Sequence, residues 1–220
     1  MLILDSIYYE IDSRRILNGV YIKIEPSSIC GLFGLNGSGK STIIRIAAGL
    51  LLPLSGTVFI DNKAFTNKSL KSRFTKIAYL PQDNFLPGDM KVSKFVNFFL
   101  KDSELDLENF IKPKLFSQNI ASLSFGERRM LELIFIISLK RNYILLDEPF
   151  TGIEPRLIEK MLVLINGEAD NGTGVLITDH YQHYVSQLCH YSYLQINGQS
   201  KKVDSPFNIK EHLGFFSLEK

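Results

Sequence analysis

The chain has 220 residues, 45% of them hydrophobic and 22% charged, with a formal net charge of +2. That balance excludes a disordered or fibrous protein and allows a substantial core, sized for one large domain or a core with one inserted subdomain. Without a dense Lys/Arg run it gives no reason to expect a nucleic-acid partner, and Lys201-Lys202 reads as a solvated turn.

The N-terminal Met-Leu-Ile-Leu-Asp has no basic region leading into an apolar stretch, so no secretory leader is expected. Residues 2–9 and 19–25 read as β-strands joined by a polar turn at Asp12-Ser13-Arg14-Arg15. A short buried strand is predicted at 28–33. Cys30 lies within it, and a small apolar packing role is expected there. With Cys189 as the only other cysteine, no disulfide framework is expected, and a reducing compartment fits.

Next comes Gly34-Leu35-Asn36-Gly37-Ser38-Gly39-Lys40-Ser41, which matches the phosphate-binding pattern G-x-x-x-x-G-K-[ST]. A predicted helix over 41–51 completes the strand, glycine-rich turn and helix that this pattern needs. Glycines let the backbone turn its N–H groups and the positive helix end toward a phosphate. Lys40 can then reach the β- and γ-phosphates, and the Ser41 hydroxyl can ligate Mg²⁺.

Further strands are predicted at 57–61 and 76–80, the latter ending at Pro81-Gln82. From Asp83 to about Leu139 strand signals vanish, and short helices followed by a longer one over 124–139 suggest a helical insertion. Its most apolar run, Leu133 to Leu139, is too short to cross a bilayer, which needs about 20 residues. Strands at 143–147, 174–178 and 191–196 then alternate with helices at 155–165 and 180–188. Uninterrupted apolar strands between helices indicate an α/β domain with a mostly parallel sheet covered on both faces.

Tyr143-Ile-Leu-Leu-Asp147-Glu148 supplies what a P-loop NTPase requires second. A strand ending in Asp147 places a carboxylate beside the Mg²⁺ site, and Glu148 can polarise the water that attacks the γ-phosphate.

At the start of the 124–139 helix, Leu123-Ser124-Phe125-Gly126-Glu127 resembles LSGGQ, the signature of the ATP-binding cassette (ABC) ATPases. Ser124 also reads as a helix N-cap, with Glu127 completing a capping box. The remaining marks of that family fall in order. Gln82 matches the Q-loop glutamine, Phe150-Thr-Gly-Ile-Glu154 sits at the D-loop, and His180 matches the switch histidine. Tyr9, with Tyr8 as the alternative, sits where an aromatic stacks on adenine.

The resemblance covers about residues 2–200. It implies a single P-loop NTPase domain of ABC type over 1–220, with N-terminal antiparallel strands and a helical subdomain inserted at about 83–140. It implies ATP and Mg²⁺ as cofactors, with Glu148, His180 and Gln82 catalytic and Ser41, Gln82 and Asp147 at the metal. Nucleotide contacts would come from Tyr9, Gly34, Asn36, Gly37, Ser38, Gly39, Lys40, Ser41 and Thr42. Ser124, Gly126 and Glu154 would contact the nucleotide across a dimer of two such subunits. It further implies membrane-spanning partners and a cytoplasmic position on the inner face of the membrane.

The rival is a soluble ABC ATPase without a membrane partner, such as a cluster-assembly subunit. Phe85, Leu86, Phe95, Phe98 and Phe99 could line the groove that receives the membrane subunit, although most of them are expected in the subdomain core. Three residues depart from the family pattern: Phe125 replaces a signature glycine, Glu127 a glutamine and Glu154 an aspartate. Each can slow hydrolysis or alter dimer closure, and an active ATPase is still expected.

Overall fold

Side-chain alternation along single strands sets the layering. In β3 (Ser28–Gly34), Cys30 and Leu32 join one apolar cluster while Ile29 and Phe33 join another, as the period of two along a strand requires. The computed structural model describes residues 1–65, 73–101 and 105–203. Residues 102–104 of the expected insertion and 204–220 of the expected domain lie outside them.

The first layer is a four-stranded antiparallel sheet of β1 (Leu2–Ile11), β2 (Arg14–Ile24), β4 (Ser55–Ile60) and β5 (Lys63–Phe65), ordered β2-β1-β4-β5. The second is a six-stranded sheet ordered β10-β9-β3-β8-β7-β6, built from β6 (Ile77–Leu80), β7 (Tyr143–Asp147), β8 (Gly174–Thr178), β9 (Tyr191–Ile196) and β10 (Gln199–Val203) with β3. All its neighbours pair in parallel except β10, which runs antiparallel along β9.

Helix α1 (Lys40–Ala48) lies between the two sheets. Its Ile43, Ile44, Ile46 and Ala47 share one cluster with Leu4, Ile22 and Val58 of the first sheet and Leu145 and Leu176 of the second. Gly49, in the left-handed region at φ 81, ends the helix and bonds back to the Arg45 and Ile46 carbonyls.

The opposite face of the large sheet is covered by α2 (Val92–Phe99), α3 (Phe125–Ser138), α4 (Pro155–Asp170) and α5 (Gln182–Leu188), which supply the second cluster. Between α2 and α3 the described residues make three short 3₁₀ turns, at Leu107–Asn109, Pro113–Leu115 and Ile120–Ser122. Among the described residues, the stretch between Gln82 and α3 thus carries a single α-helix of about two turns.

Three features differ from the sequence expectation. The first hairpin closes through Asp12 and Ser13 alone, at φ 48 and 63, the paired positive values of a type I′ turn; β1 therefore runs to Ile11 and β2 begins at Arg14. Lys201 and Lys202, expected in a solvated turn, lie in edge strand β10 with both side chains exposed. Among the phenylalanines expected mostly in the core, Phe95 is buried but Phe85, Phe98 and Phe99 are 39%, 69% and 48% exposed. A two-turn helix has one buried face, and Val92, Phe95 and Val96 occupy it.

Candidate nucleotide site

The turn from β3 into α1 is the frame of the site. Gly39 caps α1 at φ 98, and a Cβ there would meet the Leu17 side chain at 2.8 Å, so only glycine suits this corner. The first turn of α1 has no acidic residue and no side-chain cap, which leaves its free N–H groups available to an anion. Lys40 is buried, and its Nζ donates to the Gly34 and Leu35 carbonyls at 2.9 and 3.0 Å. Burial pulls the Lys40 pKa below the ordinary lysine value, and the nearby carboxylates of Glu148 and Asp147 oppose that pull.

Asn36, Gly37, Gly39, Lys40, Ser41, Thr42, Gln82, Glu148 and His180 line one open cleft of about 460 Å³. Gly34 and Ser38 are not among the residues that line it; they pack against each other, so that a Cβ on Gly34 would meet the Ser38 Oγ at 2.7 Å. Ser41 Oγ donates to Asp147 Oδ1 at 3.0 Å, and Tyr79 donates to Asp147 Oδ2 at 3.3 Å. Burial, with the Glu148 charge beside it, raises the Asp147 pKa against those two hydrogen bonds.

Glu148 sits at φ 50, a strained position for a residue with a side chain. Gln82 Nε2 donates to its Oε2 at 2.9 Å, and His180 Nε2 lies 2.9 Å from its Oε1. The three residues expected to be catalytic therefore meet in one hydrogen-bonded group.

Asp179 was not singled out in the sequence, yet it fixes the loop beside Glu148. Its carboxylate accepts from the Phe150 and Tyr181 backbone amides at 2.6 and 2.9 Å. Thr151 Oγ1 reaches both Asp179 and Glu148 at 3.4 Å.

Tyr9 is not among the residues that line the cleft. It packs against the core between the sheets, and Tyr8 turns toward Gly19 with the Arg15 guanidinium 5.8 Å from its ring centre. Ile11 and Ile16 hold the apolar side of the cleft instead. The cause is the β1–β2 register, which slips between Leu4 and Ile7, Ile7 and Tyr8, and Tyr9 and Glu10. Those slips and the tight hairpin carry Ile11, not Tyr9, to the mouth.

Ser124, Gly126 and Glu154 also stand apart from the P-loop. Together with Phe125, Glu127 and Gly152 they line a second cleft of about 650 Å³, which shares no lining residue with the first. Ser124 and Glu127 form the expected capping box: the Glu127 amide donates to Ser124 Oγ at 3.3 Å, and the Ser124 amide and hydroxyl donate to the Glu127 carboxylate at 3.1 and 2.9 Å. Although partial burial works against it, these bonds and the charges of Lys112 and Lys114 hold the Glu127 carboxyl below its usual range. Phe125 is 47% exposed. Its ring lies within 3.6 Å of where a Cβ on Gly152 would be.

Residues 17–151 match the ABC transporter family. This chain belongs to that family. Among curated relatives it is 27% identical to the glucosylceramide transporter ABCA12 of Homo sapiens over 94% of this chain, which spans 8% of that relative's length. It is 29% identical to the lipopolysaccharide export system ATP-binding protein LptB of Acidithiobacillus ferridurans, over 93% of this chain and 90% of the relative. Among solved structures, the dimeric post-hydrolysis state of the ATP-binding cassette MJ0796 bound to ADP and Pi superposes with a TM-score of 0.79 at 20% identity, over 93% of this chain and 98% of that one. The fold is that of an ABC cassette.

Proposed function

We propose that this chain is the ATP-binding and ATP-hydrolysing subunit of an ABC transporter, working as a dimer whose two nucleotides are held between P-loop and opposing signature. The observation that carries this reading is the split site. The P-loop, Gln82, Glu148 and His180 share one cleft, while Ser124, Gly126 and Glu154 share another. In the dimer we propose, the second cleft of one copy would close on the phosphate held by the P-loop of the other.

The β- and γ-phosphates would sit in the loop from Gly34 to Thr42, with Lys40 exchanging its two carbonyl acceptors for phosphate oxygens. Such charge-assisted bonds are stronger than neutral ones. The Ser41 hydroxyl and Asp147 carboxylate, 3.0 Å apart, are the hard oxygen donors that Mg²⁺ takes when phosphate and water complete its shell. Bound there, the ion neutralises charge on the phosphate oxygens. Glu148 accepts the proton of the water that attacks the γ-phosphorus in line, ADP leaves, and Gln82 and His180 hold the carboxylate in place.

Among the described residues no helix is long and apolar enough to cross a membrane, so a membrane role requires a partner. Phe85, Phe98 and Phe99 form an exposed aromatic patch, with Phe85 and Phe99 at 6.1 and 5.7 Å from Phe135 by ring centres. An apolar patch beside the Q-loop suits a docking face for a membrane-spanning subunit. In this reading the chain sits on the cytoplasmic face of the membrane, with about 83–140 acting as the docking insertion. The test is phosphate release from ATP by the purified chain, expected to require Mg²⁺ and to stop on chelation; no release with or without the metal contradicts the reading. Co-purification with a membrane protein separates it from a soluble ABC ATPase.

A further inference from the structure

Arg129 and Glu132, on α3, are 1% and 0% exposed. Two ionised groups this deep are costly to bury unless every donor and acceptor is used. Beyond their own pairing and the 4.0 Å contact of Glu132 with the Arg128 guanidinium, the bonds they make end on the catalytic loops. The Arg129 guanidinium donates to the Pro81 carbonyl, directly before Gln82, and to the Asp147 and Glu148 carbonyls at 2.9 and 3.3 Å. It also pairs with Glu132 at 3.3 Å. Glu132 in turn accepts from the Phe85 amide at 3.0 Å, and the Asn84 side-chain amide, turned nitrogen-first, donates to it at 3.2 and 3.3 Å.

We infer that Arg129, braced by Glu132, is a positioning residue for hydrolysis, tying the Gln82 segment to the strained backbone of Glu148. The inference rests on Glu148 being the base. Arg129 lines neither cleft, so its effect on catalysis runs through these two segments. Glu148 at φ 50 needs its surroundings to hold it. Its amide is anchored on the Thr178 carbonyl at 2.8 Å, and Arg129 anchors its carbonyl. The same guanidinium fixes the start of the segment that brings Gln82 Nε2 to the Glu148 carboxylate.

The pairing also separates two roles by experiment. Removing Arg129 alone strands a buried carboxylate and destabilises any fold. Replacing both members, in Arg129→Met with Glu132→Leu, removes the anchor without leaving either of these two charges unpaired, a swap that is often neutral in stability; Arg128, 22% exposed, keeps its bond to the Leu86 carbonyl. Arg129→Lys keeps the charge for Glu132 but loses the fork that reaches three carbonyls.

The assay measures melting temperature, ATP affinity and kcat for the full chain, the double variant and Arg129→Lys, with Glu148→Gln alongside. For both Arg129 variants we expect ATP affinity within about threefold and kcat lower by about 10–100-fold, the scale of a small misplacement acting from outside the site. Wild-type kcat in a folded double variant overturns the inference. So does parallel loss of affinity and kcat, or failure of both variants to fold, since each marks a purely structural role. Glu148→Gln turning over at the wild-type rate instead defeats the reading of the base, whatever Arg129 does.

Discussion

His180 Nε2 stands 2.9 Å from Glu148 Oε1, while Gln82 Nε2 donates to the other oxygen of the same carboxylate at 2.9 Å. Two loops from different parts of the chain thus fix one carboxylate from both sides. Losing one leaves the other in place, so His180→Ala is expected to lower kcat by about 10–100-fold, at or below the low end of general acid–base effects. KM should change by less than about threefold, because ground-state binding rests on the P-loop. Steady-state kinetics read both values, and a rise in KM with unchanged kcat would place His180 in binding alone.

Lys40 is expected to carry nucleotide affinity. Hydrogen bonds to charged groups are worth about 1.5–3 kcal/mol, so Lys40→Ala should weaken ATP binding by about 10–100-fold. Its partners in the free chain are the Gly34 and Leu35 carbonyls, which remain satisfiable by water in the open cleft. The variant should therefore fold. Unchanged affinity in a titration removes the P-loop assignment.

Ile11 at the cleft mouth is 48% exposed, so the site offers a base an aliphatic wall in place of an aromatic one. Ile11→Tyr should tighten ATP binding by about 5–150-fold, since stacking a base on an aromatic ring is worth about 1–3 kcal/mol. Tyr9→Ala should leave affinity unchanged and lower the melting temperature, because that half-buried ring packs against the core. The reverse pattern in the two titrations restores Tyr9 to the base.

The difference between Tyr9 and Ile11 shows where the sequence was readable. The P-loop, the Tyr143–Asp147 strand and the parallel core follow from residue patterns that each dictate one local geometry. Tyr9 falls outside the cleft lining because three pairing slips and a two-residue turn decide which side chain meets the cleft, and no alternation pattern reports a slip. Strands β5 and β10 were missed because each is a short edge strand with mostly exposed residues, lacking the apolar alternation that marks a half-buried strand. Nothing in the sequence marks Arg129 and Glu132, two charged residues of a helix, as buried. Only the folded loops around them reveal why they are buried.

Phe125 neither fills the core nor stands free, with its ring half-exposed over Gly152. Removing it should cost about 1 kcal/mol, far less than a fully buried ring, or about 2–4 °C in melting temperature for a chain of this size. Phe125→Gly is expected to raise the ATPase rate or tighten the ATP-driven dimer, because it clears the approach to the second cleft. A variant that melts much earlier and hydrolyses no faster assigns Phe125 to packing.

The central claim is that ATP joins two copies through clefts that one copy keeps apart. Glu148→Gln retains the shape of the side chain and its contacts but cannot take a proton, so ATP should bind and persist. Size-exclusion chromatography with light scattering on this variant tests the claim directly. With Mg²⁺ and ATP it should elute as a dimer of about twice the mass of the chain, and with ADP as a monomer, while turnover is lost. A monomer under both nucleotides despite saturating ATP binding, or hydrolysis at the wild-type rate, contradicts the account.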